Sequence, residues 1–110
     1  MRIEIHTPDT ISSSESCKLR AVLFNDSYEP VVISRNAFVG PNLRRYPESV
    51  EPTYGGLEEP VTLQPFTFYG REREFSGLQP GEEEVSAYYR PGNETPEIVA
   101  ERHMRVEAGH

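Results

Sequence analysis

The side chains that could bind a metal ion are a few histidines, one cysteine and two acidic runs. Zinc ligands usually stand a few residues apart in sequence, but no histidine here has that spacing to another histidine or to Cys17. The acidic runs 58–59 and 82–84 lack the aspartate- and glycine-rich loop that shapes a calcium site. We therefore predict no metal and no cofactor. The histidines are His6, His103 and His110, and the first two are interpreted as strand-surface residues.

Nucleophilic catalysis would need a serine or cysteine beside a general base and an oxyanion hole. The sequence has no Gly-x-Ser-x-Gly turn, the serines at 12–14 are interpreted as a connector, and Cys17 alternates with apolar residues expected to face a core. The 18 acidic residues leave paired-carboxylate hydrolysis open, but 110 residues give little room for both a core and a deep pocket. We predict that the protein is not an enzyme.

The most informative irregularity is the segment 40–60, which carries four prolines and a Gly-Gly pair. Loops of this length are uncommon in compact domains and are usually functional or floppy. Arginine and tyrosine are enriched where interfaces concentrate their binding energy, and prolines reduce the entropy lost on docking. We predict a binding loop whose contact residues are Leu43, Arg44, Arg45, Tyr46 and Tyr54.

A structural interpretation of the same loop stays open. Leu43 and Tyr46 would fold back over the core, and the two arginines between them would pair with the surplus carboxylates. The same residue types serve both interpretations, so the sequence does not choose between them. Tyr88 and Arg90, near the end of a later strand, form a second candidate binding pair.

Charge argues against two classes of partner. The 11 Lys and Arg against 18 Asp and Glu give a net charge of −7, which repels phosphate backbones and anionic lipid heads. The longest unbroken apolar stretch, 21–24, is too short to span a bilayer. We predict no nucleic acid partner and no membrane insertion, and we interpret the acidic surface as a means of staying soluble.

The compartment is predicted from the cysteine count and the first residues. Cys17 is the only cysteine, so no internal disulfide can form, which fits a reducing compartment. Residues 1–5 alternate like a strand and do not form the apolar region of a signal peptide. We expect a cytoplasmic protein. An extracellular module whose signal segment is missing from this stretch is the alternative.

The elements that must position these residues are strands. No long stretch repeats apolar side chains at helical spacing, and ten prolines and eight glycines interrupt the chain. The length favours one domain over 1–110. Period-two alternation predicts about seven strands, at 2–6, 16–24, 31–35, 61–64 with 66–69 as two pieces of one ribbon, 82–89 and 97–106, with a short piece near 43–46.

Two strands show their buried face most clearly. The segment 16–24 continues into a turn at Asn25 to Ser27, which predicts a hairpin between 16–24 and 31–35. We expect the Gly40-Pro41 pair to break the apolar run that precedes it. The residues predicted to face the core are Cys17, Leu19, Ala21 and Leu23 in one strand and Val85, Ala87 and Tyr89 in the other.

Leu78-Gln79-Pro80-Gly81 leading into the strand 82–89, together with the spacing of the strands, resembles the immunoglobulin-like and fibronectin type III-like sandwiches found widely in bacteria. In that superfamily a leucine, a proline and a glycine often precede the penultimate strand, and the leucine plugs the base of the sandwich. The resemblance implies an all-β antiparallel β-sandwich with a buried Leu78. The tryptophan and inter-sheet disulfide of true immunoglobulin domains are absent here.

A second resemblance concerns residues 19–30, where a leucine-rich strand runs into an asparagine turn and a proline. This pattern is similar to the intracellular proteinase inhibitors of bacilli. The function expected from the sequence is a non-catalytic module that contacts another protein or domain, in an oligomeric state that the sequence leaves open. A small proteinase inhibitor of β-sandwich type is the alternative.

Overall fold

The computed structural model describes residues 1–45, 60–90 and 97–109. These residues form strands and one short 3-10 turn at Arg35–Ala37, which confirms the all-β prediction. Within the described residues, no helix has the length and apolar character needed to cross a bilayer. The strands are β1 Arg2–His6, β2 Thr10–Ser12, β3 Cys17–Phe24, β4 Val31–Ser34, β5 Phe38–Leu43, β6 Pro60–Leu63, β7 Phe68–Phe75, β8 Gly81–Tyr89 and β9 Ile98–Glu107.

The strands are arranged in three sheets. The first sheet has the order β1-β3-β7, and both of its pairings are antiparallel. The second has the order β2-β9-β8-β5, in which β2 runs parallel to β9 and the other pairings are antiparallel. Strands β4 and β6 form a separate antiparallel ribbon. The chain therefore leaves the first sheet after β1 and joins the second at β2.

One buried apolar cluster receives side chains from all three sheets. Alternation in β3 and β8 places every second side chain in it, as the sequence predicted. Each fully buried leucine or valine there contributes about 1.5–3 kcal/mol relative to an exposed position. The predicted core residues of these strands are all buried, and so is the plug residue of the resemblance: Cys17, Leu19, Ala21, Leu23, Leu78, Val85, Ala87 and Tyr89.

The predicted hairpin between 16–24 and 31–35 is wrong. Strand β3 is paired along one edge with β1 and along the other with β7, so neither edge is left for β4. Strand β4 pairs with β6 instead, with Val31 opposite Leu63. The turn after β3 therefore carries the chain out of the first sheet.

The expected break at Gly40-Pro41 is also wrong, because β5 continues through it. The pairing of β5 with β8 shifts register between Val39 and Asn42, and this irregularity accommodates a proline that has no N–H to donate. Gly40 has φ +128° and lies so close to β8 that a Cβ would stand 2.6 Å from the Cβ of Ala87. Only glycine tolerates both the dihedral and the contact.

Candidate binding surface

Asn25, directly after β3, is fully buried, and its side chain links two turns by hydrogen bonds. Its Nδ2 donates to the carbonyl oxygens of Glu29 at 2.9 Å, Leu63 at 3.0 Å and Gln64 at 3.3 Å. Its Oδ1 accepts from the N–H of Ser27 at 3.0 Å and from the Ser27 hydroxyl at 2.7 Å. Because a buried amide without partners is costly, these bonds fix the turn after β3 against the turn after β6.

Phe66 lies in the second of these turns with φ 60°, in the left-handed region that side chains other than glycine seldom adopt. Its N–H donates to the Asn25 carbonyl at 2.8 Å, and the N–H of Thr67 donates to the Gln64 carbonyl at 3.1 Å. The Tyr28 ring meets the Phe66 ring edge to face, with 5.1 Å between centroids. The two turns thus hold these rings together outside the core.

We call Tyr28, Phe66 and Phe68 the aromatic tip. Tyr28 is 87% exposed, Phe66 50% and Phe68 51%, although large aromatic side chains dominate cores elsewhere. Phe68 lies opposite Phe24 in the β3–β7 pairing, and the guanidinium carbon of Arg20 lies 5.1 Å from the Phe68 ring centroid. The tip is therefore an apolar surface with a cation at its border, which suits contact with a partner.

The residues predicted from the long loop do not gather in one site. Leu43 is 1% exposed and belongs to the core. Arg44 is exposed, and its guanidinium lies 3.7 Å from the Glu84 carboxylate. Tyr46 and Tyr54 lie outside the described residues.

Arg45 makes its hydrogen bonds to other residues of the same chain. Its Nε donates to the Glu83 carboxylate at 2.8 Å and its backbone N–H donates to the same carboxylate at 3.1 Å. Its terminal nitrogens donate to the carbonyls of Gln79 at 2.8 Å and Pro80 at 3.3 Å. The Glu83 side chain is completely buried. Arg45 therefore closes the turn before β8, in line with the structural interpretation of the loop arginines.

The second predicted pair, Tyr88 and Arg90, does lie together. The Arg90 guanidinium carbon is 5.1 Å from the Tyr88 ring centroid, and its Nη2 is 2.7 Å from the Glu97 carboxylate. Tyr88 lies on β8 of the second sheet, and Arg90 directly follows that strand. They form a stacked pair at the surface.

Sequence reasoning missed the aromatic tip. Alternating aromatic residues favour strands, and this pattern predicts one strand over 66–69, whereas Phe66 lies in a turn and Phe68 begins β7. Tyr28 directly follows the predicted turn at Asn25 to Ser27 and belongs to no alternating pattern. The signal that could have found them is the Asn-Asp-Ser turn beside an aromatic residue, but the exposure of a side chain depends on tertiary packing.

The structure also shows where the side chains considered for catalysis and metal binding lie. Cys17 is buried, and burial raises the pKa of its thiol. His6 has its Nε2 3.6 Å from the Glu4 carboxylate. In the described parts of the chain, no group of three His, Cys, Asp or Glu side chains is arranged to hold a metal ion.

Cys17 is expected to react slowly in the native protein. Because the raised pKa leaves less thiolate at a given pH and the core excludes reagent, alkylation by iodoacetamide at mildly alkaline pH should be at least about tenfold slower than in urea. Mass spectrometry over a time course measures both rates. Equal rates would contradict the buried position.

No protein-family model matches the sequence, and no curated protein is significantly similar to it.

Proposed function

We propose that the protein is a non-catalytic binding module whose aromatic tip contacts another protein. The observation that carries the proposal is the Tyr28–Phe66 ring pair, which is held exposed by the buried Asn25. A left-handed Phe66 costs about 1–2 kcal/mol relative to a relaxed backbone, and strain of this kind concentrates at functional sites. A ring pair ordered before binding loses little entropy on docking.

The fold proposed for the module is an immunoglobulin-like sandwich. Two features support it: the orders β1-β3-β7 and β9-β8-β5 match the A-B-E and G-F-C orders of immunoglobulin sheets, and Leu78 is buried before the penultimate strand. In such folds the connections between strands cluster at the ends, where binding residues are commonly carried. The turns that carry the aromatic tip are connections of this kind.

The surface of the tip explains why a protein partner is favoured. Aromatic side chains supply large contact areas with few rotatable bonds, and they are enriched at the centres of interfaces. The net charge of −7 opposes polyanionic partners, although Arg20 lies at the border of the tip. Arg44, Tyr88 and Arg90 are proposed as secondary contacts.

The test changes the tip without touching the core. We expect the double variant Tyr28→Ala with Phe66→Gly to lose binding at least about tenfold, because truncated aromatic hot spots cost more than about 1.4 kcal/mol. Its thermal midpoint should stay within a few degrees of wild type, since glycine relieves the strain at Phe66 while losing about 1 kcal/mol of backbone entropy. Affinity capture from the source cells, with quantitative mass spectrometry, identifies proteins retained by wild type alone, and calorimetry measures their affinity.

Thr10→Ala is the matched control, because Thr10 is exposed and lies on β2, the edge strand of the other sheet. It should retain every protein that wild type binds. If the tip variant retains the same proteins with the same affinity, the aromatic tip is not the contact surface.

A further inference from the structure

A cleft opens between β5 and β7, which are the edge strands of the second and first sheets. Its volume is about 210 Å³, enough for a small organic or inorganic anion. Gly40 and Asn42 of β5 form one wall, and the run Arg71 to Arg73 of β7 forms the other. None of the three residues of the aromatic tip lines this cleft, so it is a separate site.

Arg71 is the most informative residue of the cleft. It is half-buried, its Nη2 donates to the Arg35 carbonyl at 2.9 Å, and its guanidinium carbon lies 6.0 Å from the Phe38 ring centroid. Among the described residues no carboxylate is within 4.0 Å of this guanidinium. A half-buried cation beside an aromatic ring is costly to desolvate, and an anion offsets that cost. In a protein with 18 acidic residues, its pairing with a carbonyl is unexpected.

Arg73 adds a second cation to the same wall. Alternation along β7 directs Arg71 and Arg73 to one face of the sheet, about 7 Å apart along the strand. The Nη1 of Arg73 donates to the Asn42 side-chain oxygen at 2.8 Å, so its position is fixed by the opposite wall. The Glu72 side chain alternates to the opposite face of β7, and its Cα lies opposite that of Arg20 in the β3–β7 register. The cleft therefore presents two oriented guanidinium groups.

The geometry points to an oxyanion site in this cleft, with Arg71 as the binding residue, Arg73 as a second cation on the same wall, and a small carboxylate or phosphate as the ligand. Planar guanidinium groups bind two oxygens of such an anion at once, which an ammonium cannot do. The buried Phe38 ring, 6.0 Å from the Arg71 guanidinium carbon, keeps water from that side of the guanidinium and so strengthens its interaction with an anion. The net charge of the protein slows the approach of an anion, but it does not remove this local attraction.

The test follows the side-chain Nε–Hε signals of the arginines by NMR while inorganic phosphate, succinate or chloride is added at matched ionic strength. Phosphate or succinate should shift the Arg71 signal in a saturable way, and chloride should not. If phosphate binds more tightly than succinate, the ligand is a phosphate; if succinate binds more tightly, the ligand is a carboxylate. Arg71→Gln should weaken binding at least about tenfold.

Two further variants sharpen the result. Asn42→Asp places a carboxylate beside Arg73 and should reduce binding similarly, whereas Lys18→Gln changes an exposed cation on the outer face of β3 and should leave it unchanged. If Arg71→Gln does not fold, the wild-type titration and Asn42→Asp decide. The site is refuted if neither oxyanion shifts Arg71 saturably, or if chloride shifts it equally.

Discussion

Arg45→Met will lower the free energy of unfolding by about 3 kcal/mol, because it leaves the buried Glu83 carboxylate without its cation. The same change also removes the bonds from the Arg45 side chain to the Gln79 and Pro80 carbonyls. Arg44→Met, one residue earlier, will change the free energy of unfolding by less than about 1 kcal/mol, because the Arg44 side chain is 79% exposed and its ion pair is screened by water. Urea unfolding curves followed by circular dichroism measure both effects.

The adjacent arginines separate the two interpretations of the loop. A loss confined to Arg45 identifies that residue as a structural contact, and any binding effect of Arg44→Met then reports on the surface alone. Glu83→Leu in the Arg45→Met background should recover part of the stability, since an apolar pair needs no counter-charge. Equal effects of the two arginine variants would contradict the buried ion pair.

Asn25→Asp will lower the free energy of unfolding by about 2–4 kcal/mol at neutral pH, because a buried carboxylate would then face the carbonyls of Glu29, Leu63 and Gln64. These carbonyls and the burial raise the pKa of the introduced carboxyl above its unfolded value. The folded state therefore binds the proton more tightly, so the loss is smallest below about pH 4 and grows as the pH rises through the folded pKa.

The measurement is the difference in unfolding free energy between variant and wild type, taken at several pH values from below about pH 4 to neutral pH. Asn42→Asp is the matched control, because its new carboxylate would face the Arg73 guanidinium and should cost nothing at neutral pH. A loss for Asn25→Asp that does not depend on pH would show that the carboxylate does not face the carbonyls. In that case the turn would have rearranged, and the aromatic tip with it.

Local pattern was enough to predict most of the strands and the buried faces of β3 and β8, but not β2 or the continuation of β5 through Gly40-Pro41. Leu19, Leu23 and Val85 alternate with polar neighbours, and that period alone places them in the core. The partners of the strands were not predictable in the same way, because pairing depends on segments far apart in the chain. The hairpin between 16–24 and 31–35 failed for this reason: β1 and β7 occupy both edges of β3.

The candidate site was less predictable than the fold. An arginine in a proline-rich loop has the same composition whether it contacts a partner or a buried carboxylate, and only the position of Glu83 assigns Arg45 to the second. Phe66 looks like a strand residue until the Asn25 bonds turn the backbone around it. The cleft at Arg71 and Arg73 forms only when the edges of two sheets meet.

The parallel pairing of β2 with β9 also bears on how the protein responds to force. Thr10 to Ser12 lie beside Arg105 to Glu107, and bonds from the Arg105 N–H to Asp9 and from the Ser13 N–H to Glu107 extend the contact at both ends. Tension applied to the chain before β2 and after β9 pulls these strands past each other along their length. The bonds between them are then loaded together in shear and do not open one at a time, which is the geometry that best resists mechanical extension.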